Sequence, residues 1–409
     1  MSAGKSQNKS IKILSIITVN ILITLVLILI LEVIASFYVS RPGDSNASHY
    51  QLNHTWRPNT KSVHREWIAN NPDFPEPYTH YYNSQGWLEK YDIKKENPAS
   101  TFRIFYVGDS FTEGTAPMDQ SVPSIVEEKI NEMAKGKDIN FEVINTGTGG
   151  YSPTIYYILT RYYIAAYSPD LVVINVDMTD DFDDWKYAKT LIRDNEGNPL
   201  YAVPRDIYDA AFIDMEEAAV KATPLRKTQL FLVQRSYIYN LIIEMKKKWR
   251  GKERLKQKPS LREAGGGNYY PRWSWCKTYW SGQTVENVNN TLDILKRLIH
   301  FGRENNIKIL LTSVPHYWQY SGNYEGGGKP IWSSRPHRAI ESLAKAGGVP
   351  YLNSFEKLKP YIRGTPPGKY YYNGDPHFNP RGYAILAQAH IDFLINAENR
   401  LLPDTFYDE

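Results

Sequence analysis

From residue 101 onward, short runs of β-branched and aromatic residues alternate with stretches whose apolar positions recur at helical spacing. The extended runs are Phe102–Val107, Phe141–Asn145, Leu171–Val176, Ile307–Ser313 and Val349–Leu352. Helical spacing lies near Ser121–Lys135, Thr154–Tyr167, Val285–Glu304 and Ser334–Ala346, with Val122, Ile125, Val126 and Ile130 on one face of the first. A last helix is predicted from Pro380 to Ala397, with proline at its entry. Five strand-like runs alternating with helices predict an α/β fold: a three-layer, doubly wound parallel five-stranded sheet, covered on both faces.

The N-terminal pattern is different. Ile13–Leu31 is free of charged residues, and Val33–Val39 beyond Glu32 is again mostly apolar. A helix of the uncharged run alone would be about 28 Å long, enough to cross a hydrocarbon core. Lys5, Lys9 and Lys12 precede it, so the positive-inside rule predicts a cytoplasmic tail (1–12), an anchor (13–39) and an extracytoplasmic remainder. A cleaved signal peptide is the competing reading, and Ala35-Ser36-Phe37 matches its cleavage site poorly. Glu32 is expected near the outer interface, where a carboxylate costs less than at the bilayer centre.

Residues 40–100 carry Pro42, Pro58, Pro75 and Pro77 and read as a stalk and lead-in. The α/β domain is expected over 101–399, interrupted by an insertion at about 186–280, with 400–409 as a tail. The insertion holds a helical stretch near Leu225–Trp249, a basic run from Lys246 to Lys258, Gly265-Gly266-Gly267, and the aromatics Tyr269, Tyr270, Trp273, Trp275, Tyr279 and Trp280. The basic run reads as a solvated face, with headgroup or anionic-glycan contact as the alternative.

A net charge of +4 implies no nucleic-acid partner. The single cysteine, Cys276, excludes an intrachain disulfide and reads as a buried small hydrophobe. The 31 Tyr and 10 Trp suit either a large aromatic core or contact with sugar rings. The sequence does not fix the oligomeric state.

The chemistry is concentrated in two places. Gly108-Asp109-Ser110-Phe111-Thr112-Glu113-Gly114 follows the first strand and precedes a helix, so Ser110 is expected on a tight strand-to-helix turn. Far downstream stands Asp375-Pro376-His377. A serine hydroxyl needs a base within hydrogen-bond reach, and a carboxylate can hold that base in one tautomer. Ser110, His377 and Asp375 are therefore the candidate nucleophile, base and orienting acid. A second Gly-Asp-Ser, Gly43-Asp44-Ser45, has no strand before it and no apolar helix after it, and reads as a decoy. The glycine turn Asn145-Thr146-Gly147-Thr148-Gly149-Gly150-Tyr151 can aim an N–H at an oxyanion, or can be an ordinary β-to-α turn. The acidic stretch Asp177–Asp184 has no accompanying histidine and no metal-site spacing, so neither metal nor cofactor is expected.

Taken in order, these blocks resemble the SGNH (GDSL-type) hydrolase superfamily over about Thr101–Asn399, and the resemblance implies a flavodoxin-like sheet. It implies Ser110 as nucleophile and, through its backbone N–H, as an oxyanion donor; it also implies Gly150 as a second donor, and His377 and Asp375 as the remaining triad members. The third block departs. Where the family usually has Gly-x-Asn-Asp this chain has Asp177-Met178-Thr179-Asp180-Asp181, so Thr179 or Asp180 replaces the oxyanion asparagine. The resemblance, with the predicted anchor, implies a membrane-anchored extracytoplasmic serine esterase. Its substrate would be a short acyl ester, an O-acetyl group on a surface polysaccharide. The Asp-x-His spacing also resembles polysaccharide O-acyltransferases, which use the same triad. The altered third block leaves a glycan-binding or assembly module without turnover as a further alternative.

Overall fold

A computed structural model describes residues 3–38, 47–49, 51–64, 73, 77–203, 236, 238–239, 241–242, 245, 272–320, 324–325, 329–330 and 332–407. Gly43-Asp44-Ser45, most of the Leu225–Trp249 stretch, the basic run, the triple glycine, Tyr269 and Tyr270 lie outside the described residues. The chain forms two units, one of residues 1–44 and 222–267, the other of 45–221 and 268–409.

In the first unit α1 (Ala3–Tyr38) contains one segment, Ile16–Ala35, long and apolar enough to cross a membrane. Its leucines, isoleucines and valines from Ile16 to Ile34 are exposed. Glu32 interrupts the apolar surface, but its carboxylate is not bare: it accepts hydrogen bonds from Ser236 Oγ at 2.5 Å and from the Ile238 N–H at 3.3 Å. Residues of the expected insertion thus satisfy the one acidic group on this helix.

The second unit has strands β1 (Ala47–His49), β2 (Asn53–Thr55), β3 (Thr60–His64), β4 (Tyr78–Tyr82), β5 (Thr101–Val107), β6 (Asn140–Asn145), β7 (Leu171–Asp177), β8 (Leu191–Arg193), β9 (Pro199–Ala202), β10 (Lys308–Val314), β11 (Tyr324–Glu325), β12 (Lys329–Pro330) and β13 (Tyr351–Leu352). Its helices are α2 (Ser110–Glu113), α3 (Val122–Met133), α4 (Pro153–Tyr162), α5 (Asp180–Tyr187), α6 (Gly282–Glu304), α7 (Arg335–Gly347), α8 (Ser354–Ile362), α9 (Pro380–Leu394) and α10 (Asp404–Tyr407). Five strands form one parallel sheet in the order β13-β10-β7-β5-β6, which is the 2-1-3-4-5 order of flavodoxin-like sheets.

Alternation along each strand sorts side chains between two cores. Phe102, Ile104 and Tyr106 of β5 join α3, α8 and α9 on one face, whereas Phe105 and Val107 join α4, α6 and α7 on the other. Strand β7 divides likewise, with Leu171 and Val173 opposite Val172, Ile174 and Val176. The five predicted strands are all present. The predicted helix over Thr154–Tyr167 ends at Tyr162 and continues as a 3₁₀ turn, Ile164–Tyr167. Helices α5 and α8 were not legible: half of α5 is acidic, and α8 carries Pro360 inside it.

The segment read as stalk and lead-in is folded onto this unit. Leu52, Trp87 and Ile93 enter the α4/α6/α7 core, while Trp56, Tyr82, Leu88 and Met118 form a small cluster of their own. Both ends of the expected insertion also pack onto this unit. Strands β8 and β9 pair as a hairpin, and the Ala202 N–H donates to Gln51 O. At the far end Trp275 and Cys276 are fully buried, and Cys276 Sγ donates to Met178 O.

Two histidines with no exposure, His337 and His390, set an acid limit on the fold. Burial lowers each imidazole to about 3. Both fold as neutral rings, so between pH 6.5 and about 3 only the unfolded chain takes up their protons, and stability falls as pH falls. His390→Gln keeps a polar partner for Tyr106 Oη, now 3.3 Å from His390 Nδ1. This variant is expected to reduce the slope of unfolding free energy between pH 6 and 4 by ~1.4 kcal/mol per pH unit, one proton's worth. Denaturant titrations across that range check it.

Candidate active site

Ser110 occupies the first position of α2, one turn of helix entered directly from the carboxyl end of β5. Asp109 caps that turn by accepting the Phe111 N–H at 2.9 Å. Glycine is required on both sides of it. A Cβ on Gly108 would lie 2.0 Å from Thr112 Oγ1, and one on Gly147 would lie 2.2 Å from the Glu113 backbone nitrogen. The turn after β6 can therefore run against α2 only without a side chain at Gly147. Asn145 ties the two together, donating from Nδ2 to Thr112 O and accepting the Gly147 N–H.

The structure brings Ser110, His377 and Asp375 into one hydrogen-bonded chain. Ser110 Oγ and His377 Nε2 are 2.7 Å apart, and His377 Nδ1 lies 2.6 Å from Asp375 Oδ1. The His377 backbone N–H donates to the same carboxylate oxygen at 2.9 Å. The imidazole stacks on Phe111, with ring centroids 4.7 Å apart and planes 28° from parallel. Burial alone would raise the Asp375 carboxyl; its hydrogen bonds and charge interaction with His377 outweigh that and hold it below the usual aspartate value. Asp375 is thus ionised at neutral pH. All three residues are partly exposed, so the serine is reachable from solvent.

The expected oxyanion residues are placed unequally. Ser110 N–H stands at a helix start, where no intrahelical acceptor exists. Gly150 has φ +82°, and its carbonyl accepts from Tyr187 Oη. Its neighbour Gly149 lies against the serine: a Cβ there would sit 3.7 Å from Ser110 Cβ. The Gly149 N–H donates to Glu113 Oε2 at 2.9 Å, and its carbonyl receives His54 Nε2 at 2.8 Å. Thr179 commits its one hydroxyl hydrogen to Asp177 Oδ2 at 2.5 Å, leaving none for an oxyanion. Asp180 accepts from the Asp177 N–H and from Tyr156 Oη.

Behind the serine, carboxyl oxygens of Asp109, Asp177 and Asp180 come within 4.8 Å of one another, all buried. Like charges this close cannot all ionise. Burial opposes ionisation of Asp177, but His316 Nε2 at 2.7 Å and the Thr179 hydroxyl bring it down to about 2. Asp109 and Asp180 are pushed well above the usual carboxylate range, first by burial and then by the Asp177 charge. Asp184 accepts from Ser152 Oγ, the Thr154 N–H and Thr291 Oγ1, joining α4, α5 and α6.

Sequence reasoning missed Glu113, His54 and His316. Glu113 and His54 act through the turn at Gly149 and His316 through Asp177, and contacts between segments so distant in the chain leave no spacing to read. No family model matches this chain, and no curated protein matches it. Among solved structures it is similar to a catalytic mutant of Axe2, an acetylxylan esterase from Geobacillus stearothermophilus, at 11% identity and a TM-score of 0.38, over 73% of this chain and 95% of that one. It is also similar to a two-domain esterase active on acetylated mannans, at 11% identity and a TM-score of 0.38, over 73% of this chain and 50% of that one.

Gly147→Ala is expected to destabilise the fold by about 1–3 kcal/mol, because the added methyl meets backbone that cannot swing away. A thermal melt beside Gly136→Ala checks it, since a Cβ on Gly136 meets nothing within 4 Å. Gly136 has φ +89°, so the control carries backbone strain but no clash.

Proposed function

We propose that this chain is a membrane-anchored, extracytoplasmic serine esterase acting on short acyl esters, with O-acetyl groups on a surface glycan as the substrate. The observation that carries this reading is the continuous chain Ser110 Oγ–His377 Nε2–His377 Nδ1–Asp375 Oδ1, with links of 2.7 and 2.6 Å. Ser110 Oγ attacks the ester carbonyl as His377 Nε2 takes its proton. The tetrahedral oxyanion is met by the N–H groups of Ser110 and Gly150. His377 returns the proton to the departing alcohol, leaving an acyl-serine, and then activates water to release the acid. Asp375 holds Nδ1 protonated and stabilises the imidazolium.

The anchor is supported by the exposed apolar surface of Ile16–Ala35 and by the lysines preceding it. The glycan is supported by the chain's Tyr and Trp content. Transfer of the acyl group to a sugar hydroxyl is the second reading, favoured by the Asp375-x-His377 spacing.

Hydrolysis of p-nitrophenyl acetate by the full chain in detergent, with and without an oligosaccharide acceptor, tests this. Ser110→Ala is expected to abolish turnover, and Asp375→Asn to lower kcat on the order of 10⁴-fold by favouring the wrong imidazole tautomer. Acylated sugar formed with the acceptor would establish the transferase. Equal rates for wild type and Ser110→Ala would reject both readings and leave a binding module.

A further inference from the structure

Two histidines from outside the triad converge on Glu113, the last residue of α2. On hairpin β3–β4, Ser62 pairs with His80 and His64 with Tyr78, so His64 and His80 are diagonal neighbours on one face. Their ring centroids are 4.5 Å apart. That face lies against Glu113, and His64, His80 and Glu113 each place one ligand-type atom within 4.8 Å of the others.

Each of the two imidazoles has one buried nitrogen without a hydrogen-bond partner. His80 Nε2 lies 2.8 Å from Ala116 O. A carbonyl only accepts, so Nε2 carries the proton and Nδ1 presents a lone pair. His80 is wholly buried, and its Nδ1 has no hydrogen-bond partner. His64 Nε2 is likewise buried without one. The distance from His80 Nδ1 to Glu113 Oε1 is 3.7 Å, too long for a hydrogen bond. Two ligands of one tetrahedral zinc, each bound at ~2.1 Å, stand about 3.4 Å apart. Two nitrogens buried without donors, beside a carboxylate at ligand spacing, are costly unless something electropositive joins them.

The surroundings match a metal site as well. A metal-bound histidine normally donates its other N–H to a carbonyl or carboxylate, as His80 does to Ala116. The Glu113 carboxylate is itself oriented, accepting Tyr82 Oη on Oε1 at 2.9 Å and the Gly149 N–H on Oε2 at 2.9 Å.

We propose that His64 Nε2, His80 Nδ1 and Glu113 Oε1 bind a divalent transition-metal ion, zinc by the chemistry of two imidazoles and a carboxylate. Three protein ligands leave one tetrahedral position for water. The ion would lock hairpin β3–β4 to the helix that carries Ser110. Through Glu113 it would also hold the Gly149 N–H and the turn leading to Gly150. The site is distinct from the acidic stretch on which the expectation of no metal rested; its histidines lie in the segment read as stalk.

The test uses the full chain in detergent, stripped with a chelator and titrated with zinc chloride alone, then with cobalt(II) as a spectroscopic probe. One equivalent of zinc and the visible absorption of low-symmetry cobalt(II) are expected. His64→Ala and His80→Ala are each expected to weaken zinc binding by more than ~100-fold, beyond the loss typical of an outer-shell change. Ser110→Ala is expected to bind zinc as wild type does. His64 is half-buried on a hairpin, so its variant keeps the test decisive if His80→Ala fails to fold. Folded wild type that takes up no zinc, or His64→Ala that binds it with undiminished affinity, would overturn the proposal.

Discussion

Where the turn after β6 meets α2, backbone touches backbone with no side chain between. That contact sets the site, because it fixes where the serine turn and the glycine turn stand relative to each other. Gly147 permits the approach; Asn145 and Glu113 hold it, the first through Thr112 O and the Gly147 N–H, the second through the Gly149 N–H. Ligands in open α/β sheets bind beyond the carboxyl ends of strands, where the strand order reverses. Here that point lies at β5, flanked by β6 and β7, and Ser110 follows it within three residues.

The carboxyl layer behind the serine follows from the same crowding. With Asp109, Asp177 and Asp180 so close, one charge is tolerated and two are not. His316 and Thr179 place that charge on Asp177. The Thr179 hydroxyl is then used in solvating Asp177. The proposed mechanism draws on two backbone N–H groups for the developing oxyanion. Each such donor is worth about 2.7–4 kcal/mol in systems where one has been removed.

Period and turn chemistry made much of this legible. The parallel strands announce themselves because their apolar runs are continuous, and Ser110 could be singled out because a buried strand precedes it and Gly43-Asp44-Ser45 lacks one. His377 stood out by having an acid two residues before it. The lead-in was not legible because β1 to β4 are short and broken by proline, and their buried side chains are mostly Tyr, His and Trp, which read as polar or interfacial. Glu113 looked like an ordinary acid in a helix turn. Its partners, Tyr82, His80 and Gly149, come from 31 and 33 residues before it and from the turn after β6. Periodicity registers which face of an element is apolar; it does not register which distant polar groups a fold will bring together.

Hydrogen-bond direction argues which histidine can act as base. Among the chain's histidines, His54 touches the Gly149 carbonyl, His316 the Phe111 ring and His377 the Ser110 hydroxyl. His54 Nε2 faces the Gly149 carbonyl, which cannot donate, so that nitrogen bears the proton and has no lone pair to offer Ser110. Burial lowers this imidazole further, consistent with a neutral ring bracing the turn. His316 directs Nε2 at the Asp177 carboxylate, so that nitrogen too must carry hydrogen. His377 is arranged the other way. Its Nδ1 faces a carboxylate and holds the proton, which leaves the Nε2 lone pair against a neighbour that has a hydrogen to give, the Ser110 hydroxyl. The tautomer forced by Asp375 is therefore the one that general-base catalysis at Ser110 requires.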